Sequence, residues 1–187
     1  MKKRVYIIHG WGAGPKDNWF GWAKWELETH GFEVSVPKMP DTFYPKQEEW
    51  LTAMHEIIGT VDSNTFLVGH SLGTMAILRY LESLKDGEKV GGVILTAGFC
   101  EHIGISQIKN FHEKPLDFEK IKKAGKHFVL IHSDDDPIVP FEYGLDLRNK
   151  LDGDLVMVSG AQHLVDGTDG GEFPELIEEM LKISQGA

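Results

Sequence analysis

The stretch Gly69-His70-Ser71-Leu72-Gly73 follows the apolar run Phe66-Leu67-Val68 and leads into a helix-patterned segment with Met75, Ala76, Leu78, Leu81 and Leu84 on one stripe. A serine between two glycines at a strand-to-helix turn is the arrangement that exposes a hydroxyl for attack on a carbonyl, because the tight turn leaves no room for side chains two residues away. Ser71 is therefore the candidate nucleophile, and the amide of Leu72 the first candidate donor to a developing oxyanion. A serine hydroxyl is weakly nucleophilic at neutral pH, so an imidazole must take its proton and a carboxylate must orient that imidazole.

Where such a nucleophile is used on an alternating α/β sheet, the acid and then the histidine follow it in chain order, in loops after later strands. Two loops qualify: Ser133-Asp134-Asp135-Asp136-Pro137 and Gly160-Ala161-Gln162-His163-Leu164. His163 is the candidate base. Among the three aspartates, Asp136 is favoured over Asp135 because a following proline biases it to extended backbone. The other two are expected to form a solvated acidic turn capping the helix after Pro140. The early loop His9-Gly10-Trp11-Gly12-Ala13-Gly14 supplies the second oxyanion donor, assigned to the Trp11 amide with Gly12 as the alternate. It does not read as a dinucleotide loop: Pro15 stands where the third glycine belongs, and Val36-Pro37-Lys38 offers no acidic residue after the second strand. No metal or organic cofactor is expected.

The elements that must position these residues are short Val/Ile-rich runs alternating with helical spacing, the pattern of parallel βαβ units covered on both faces. Strands are expected at 5–8, 33–36, 65–68, 90–95, 127–131 and 155–158, and helices at 19–29, 47–58, 72–84, 118–123, 141–151 and from Pro174 onward. The fold class is α/β, an open, mostly parallel six-stranded sheet ordered 2-1-3-4-5-6, with the ligand at the switch point between the first and third strands. One domain spans 1–187. The connections 9–18 and 97–117 are too short for a lid domain, which predicts an open site for small acyl groups.

The 187 residues are 41% apolar and carry a formal charge of −10, so nucleic acid and anionic membrane are disfavoured as partners. One cysteine, Cys100, excludes an intramolecular disulfide and fits a reducing compartment. The basic start Met1-Lys2-Lys3-Arg4 lacks the apolar run of a signal peptide, because His9-Gly10 breaks it. A cytoplasmic protein acting on a small-molecule acyl ester is the expectation, with a protein-interaction module that keeps the fold and a vestigial triad, or a thioesterase or amidase using the same triad, as the alternatives.

Taken together, His9-Gly10-Trp11-Gly12, Trp19-Phe20-Gly21-Trp22, Met39-Pro40-Asp41, Gly69-His70-Ser71 and Asp135-Asp136-Pro137 resemble the small lidless serine hydrolases of the α/β-hydrolase superfamily related to retinoblastoma-binding protein nine. The resemblance spans nearly the whole chain. It implies Ser71 as nucleophile, Asp136 as acid and His163 as base. Where that family often has glycine before the histidine, this chain has Gln162, with Gly160 nearby to supply backbone freedom.

Gly12, His70, Phe99 and Phe111, together with Trp11, are expected at the substrate pocket because they lie in or beside strand-end loops. Trp19, Trp22 and Trp25 are expected to pack in the core, Cys100 to be a passive small residue, and His132 to be a strand residue. The acidic, glycine-rich stretch 166–172 lacks the ligand spacing of a calcium loop and is expected to be a mobile turn.

Overall fold

Each apolar run becomes a strand, and each helical segment crosses back over the sheet. In the computed structural model, which describes residues 2–165 and 171–185, six strands form one sheet: β1 (Arg4–Ile8), β2 (Glu33–Ser35), β3 (Thr65–His70), β4 (Gly92–Thr96), β5 (Phe128–Ser133) and β6 (Asp154–Val158). The order is β2-β1-β3-β4-β5-β6, and all five pairings are parallel rather than mostly so. The crossing elements are α1 (Phe20–Thr29), α2 (Gln47–Ile58), α3 (Leu72–Ser83), α4 (Phe118–Ala124), α5 (Phe141–Leu151) and α6 (Pro174–Gln185).

Strand residues alternate between two apolar clusters. Tyr6, Ile8, Leu67, Val93, Leu95 and Leu130 join the cluster that contains Met54 of α2 and Leu78 of α3. Val5, Ile7, Phe66, Val68, Ile94, Val129 and Ile131 join the other, with Leu27 of α1 and Met180 of α6. Burial on both faces is why the strands read as continuous apolar runs rather than as alternating ones.

The departures lie mostly at element ends. β3 and β5 extend two residues beyond expectation, which brings His70 and Ser133 to the carboxyl edge of the sheet. β4 starts at Gly92 instead of 90, and Val90 makes only an isolated bridge to Gly125. The 97–117 connection contains a 3₁₀ helix, Ser106–His112, that was expected to be loop. Trp25 corrects another expectation: it is 61% exposed, while Trp19 is fully buried. Steps of three residues advance only 300° around a helix, so a tryptophan six positions on has left the buried face. Of the stretch 166–172, residues 166–170 lie outside the described residues. No helix among the described residues is long and apolar enough to cross a membrane.

Candidate active site

Ser71 sits between the end of β3 and the start of α3 with φ 52° and ψ −119°, a conformation unfavourable for a residue with a side chain. Lack of space holds it there. A Cβ on Gly73 would lie 2.1 Å from the Ile8 carbonyl oxygen, and one on Gly69 would lie 2.8 Å from the Thr74 nitrogen. The Ser71 amide donates to the Thr96 carbonyl at 3.0 Å, and the Thr74 hydroxyl donates to the Ser71 carbonyl at 2.6 Å. Leu72 opens α3, so its amide has no partner within the helix and lies at the positive end of the helix dipole.

The two candidate amides of the early loop are distinguished by their bonds. Gly12 N–H donates to the Thr42 carbonyl at 2.8 Å and is engaged. The Trp11 amide makes no hydrogen bond among the described residues. Its direction is set from behind, by His9. The Met39 amide donates to His9 Nε2 at 3.1 Å, so the proton is on Nδ1, which donates to the Gly10 carbonyl at 2.9 Å. Because the Gly10–Trp11 peptide is planar and trans, anchoring that carbonyl aims the Trp11 N–H the opposite way. Burial lowers the pKa of His9, which keeps it in this neutral tautomer.

On the other side of the cleft, His163 Nδ1 lies 2.8 Å from Asp136 Oδ2, and both side chains are buried. A carboxylate only accepts, so Nδ1 carries the proton and Nε2 is left free to act as a base. Asp136 Oδ1 accepts the amides of Ile138 and Val139 at 2.8 and 2.9 Å. Burial pushes the Asp136 carboxyl up, but the bonds from His163 and from these two amides hold it below its ordinary value.

Ser71 and His163 line one cleft of about 400 Å³ with Trp11, Gly12, Asp17, Leu72 and a group of branched side chains, Ile103, Ile105, Ile108 and Ile138. Their hydroxyl and ring are not hydrogen-bonded to each other; such contacts commonly tighten only around a bound substrate.

Three expectations change. Phe99 and Phe111 do not line this cleft: both are fully buried, with Phe111 edge-on to Trp50 at 5.6 Å. The 3₁₀ helix turns Phe111 into the core, so a strand-end connection did not mean an exposed aromatic. His70 does border the cleft, yet its ring is buried, and Nε2 donates to the His163 carbonyl at 2.9 Å. Burial and the neighbouring His163 push its pKa down to about 3, which leaves it a neutral prop for the histidine loop. Asp134 and Asp135 do not cap α5: its N-cap is Pro140, and no α5 amide is bonded to either carboxylate among the described residues. They bond the histidine loop instead.

The isoleucines at 103, 105 and 108 were missed, although apolar residues concentrated in a connection after β4 are a readable sign of a cleft wall. Cys100 lies outside the cleft, and burial raises its thiol pKa to about 12, so it carries no thiolate at neutral pH. His132 is in β5, where its Nε2 accepts the Gly98 amide at 3.0 Å.

A parallel sheet of this order, with a strained serine between β3 and α3, defines an α/β-hydrolase fold. The chain belongs to the serine hydrolase family, whose model matches residues 5–182. It is 38% identical over 167 residues to the YdeN protein of Bacillus subtilis (strain 168), covering 89% of this chain and 88% of that one. The crystal structure of the B. subtilis ydeN gene product superposes with a TM-score of 0.94 at 34% identity, covering 98% of this chain and all of the other. The serine hydrolase RBBP9 of Rattus norvegicus is 27% identical over 183 residues, 95% of each chain. Est1E from Butyrivibrio proteoclasticus shares the fold at a TM-score of 0.73 and 16% identity, covering 98% and 86% of the two chains.

Proposed function

We propose that this serine hydrolase cleaves small acyl esters as one α/β-hydrolase domain, with Ser71 as nucleophile, His163 as base and Asp136 as the acid that orients it. The observation that carries this reading is the buried His163–Asp136 hydrogen bond of 2.8 Å, whose histidine borders the same cleft as the strained Ser71. His163 Nε2 takes the hydroxyl proton as Ser71 Oγ attacks the acyl carbon. The Trp11 and Leu72 amides receive the oxyanion, and Asp136 stabilises the imidazolium. Collapse of the tetrahedral intermediate expels the alkoxide, which takes the proton from His163 and leaves an acyl-Ser71. Water, deprotonated by His163, then attacks the acyl carbon, and Ser71 leaves with that proton as the acid is released.

The cleft supports a neutral acyl substrate. Among the described residues its lining includes the Asp17 carboxylate and no lysine or arginine, while its isoleucines offer an apolar surface. A polyanionic leaving group would find no counter-charge there.

The test is a comparison of kcat/KM for p-nitrophenyl acetate, butyrate and dodecanoate, with the matched butyryl thioester and anilide, on wild type and Ser71→Ala. The two short oxygen esters are expected to be preferred, and Ser71→Ala to lose about 10³-fold or more. Wild-type turnover by Ser71→Ala, or a strong preference for the dodecanoate, would refute the reading.

A further inference from the structure

The loop that carries His163 is held in a conformation its own residues disfavour. Gln162 and Leu164 flank the histidine with φ of 48° and 54°, in the left-handed region where a Cβ crowds the backbone. Gln162 thus adopts the conformation for which a glycine would be the natural choice. Such backbone persists only where its surroundings over-determine it.

Three consecutive loop amides are bonded by side chains from the end of β5. Asp134 Oδ1 accepts Gly160 N–H at 2.8 Å, Ser133 Oγ accepts Ala161 N–H at 3.0 Å, and Asp135 Oδ1 accepts Gln162 N–H at 2.7 Å. The Ser133 hydroxyl in turn donates to the same Asp135 oxygen at 2.6 Å. From the opposite side, His70 Nε2 donates to the His163 carbonyl at 2.9 Å and Trp19 Nε1 to the Leu164 carbonyl at 2.8 Å. Asp135 holds the amide immediately before the histidine, and so fixes the peptide plane from which the strained φ of Gln162 is measured.

We infer that Asp135 is a positioning residue for the reaction: its exposed carboxylate touches neither substrate nor His163, and aims the His163 ring through the Gln162 amide. The inference rests on the reading of His163 as base. It separates the roles within the acidic run, with Asp136 orienting the ring and Asp135 the backbone that bears it.

The experiment compares Asp135→Ala, Asp135→Asn and Ser71→Ala with wild type. Two quantities are read: kcat and KM for p-nitrophenyl acetate, and the proton NMR resonance of His163 Nδ1–H. Asp135→Ala is expected to lower kcat roughly 10- to 100-fold, the cost of a misplaced catalytic group, with KM within about twofold. Its imidazole resonance is expected to broaden or vanish.

Asp135→Asn keeps an oxygen that accepts the Gln162 amide, so its kcat should fall by less than about threefold and its resonance should persist. Wild-type kcat and an unchanged resonance in Asp135→Ala would overturn the inference. So would equal damage from alanine and asparagine, which would make charge rather than the accepted hydrogen bond responsible. If Ser71→Ala keeps wild-type turnover, the reading of the site falls. The resonance then decides Asp135 alone: loss in the alanine variant with retention in the asparagine variant supports it, and retention in both overturns it.

Discussion

On the Ser71 side of the cleft the backbone is held by lack of space, whereas on the His163 side it is held by hydrogen bonds from the end of a neighbouring strand. Gly73 packs against the Ile8 carbonyl so closely that a methyl group would sit 2.1 Å from it. Gly160, Ala161 and Gln162 instead give their amides to Asp134, Ser133 and Asp135. A packed turn tolerates no added volume and is indifferent to charge, while a bonded loop tolerates volume and depends on its acceptors. Substitutions that add volume on the first side should therefore damage folding, and those that alter an acceptor on the second should mainly damage rate.

The sharpest way to break this contrast is Gly73→Ala. Overpacking against backbone, which cannot move aside as a side chain can, is expected to cost about 3 kcal/mol or more, read as a fall in the urea midpoint. A variant as stable as wild type would show that space does not hold the serine turn.

Asp136→Asn addresses the other side. It preserves size but invites the wrong imidazole tautomer, so kcat for p-nitrophenyl acetate should drop by about 10⁴-fold with the protein still folded. A loss under tenfold would remove Asp136 from its assigned role.

Acid should loosen the histidine side through groups that fold neutral. Burial lowers the pKa of His70 from 6.5 to about 3 and that of His132 to about 4. Between those values and 6.5 the unfolded chain binds protons that the folded chain does not, so their stabilisation is complete above 6.5 and lost as pH falls towards 4. The depressed Asp136 pKa adds a further loss only below its unfolded value of about 3.9. Thermal midpoints should fall from pH 7 to 4.5, and less steeply in His70→Gln, which keeps a donor for the His163 carbonyl. A flat profile would contradict the burial of these rings as neutral groups.

The smallest effect is expected from Gln162→Gly. Relief of a left-handed side chain outweighs the added chain entropy by about 0.5–1 kcal/mol, which would raise the thermal midpoint by a few degrees. A decrease would mean that the loop is not strained at this position.

What was legible in the sequence follows the same division. The Ser71 turn is local: two glycines, a preceding apolar strand and a following amphipathic helix are enough to specify it, and the regular alternation of strands and crossovers implies a parallel sheet, whose order comes with the α/β-hydrolase reading. The support of His163 is non-local. Asp135 and Gln162 are separated by 27 residues, so Asp134 and Asp135 read as a solvated turn when the loop they serve is out of view. Phe111 failed for a related reason: whether it faces the cleft or the core depends on the turn of the short 3₁₀ helix Ser106–His112, which hydrophobic periodicity does not encode. Ile103, Ile105 and Ile108 took the wall that Phe99 and Phe111 were expected to form.

Activation of Ser71 as a nucleophile is tested, without knowledge of the substrate, by intact-mass analysis after exposure to a fluorophosphonate probe. One adduct on wild type and none on Ser71→Ala is the result expected. A folded wild-type protein that takes no adduct, or an adduct that persists in Ser71→Ala, would contradict it.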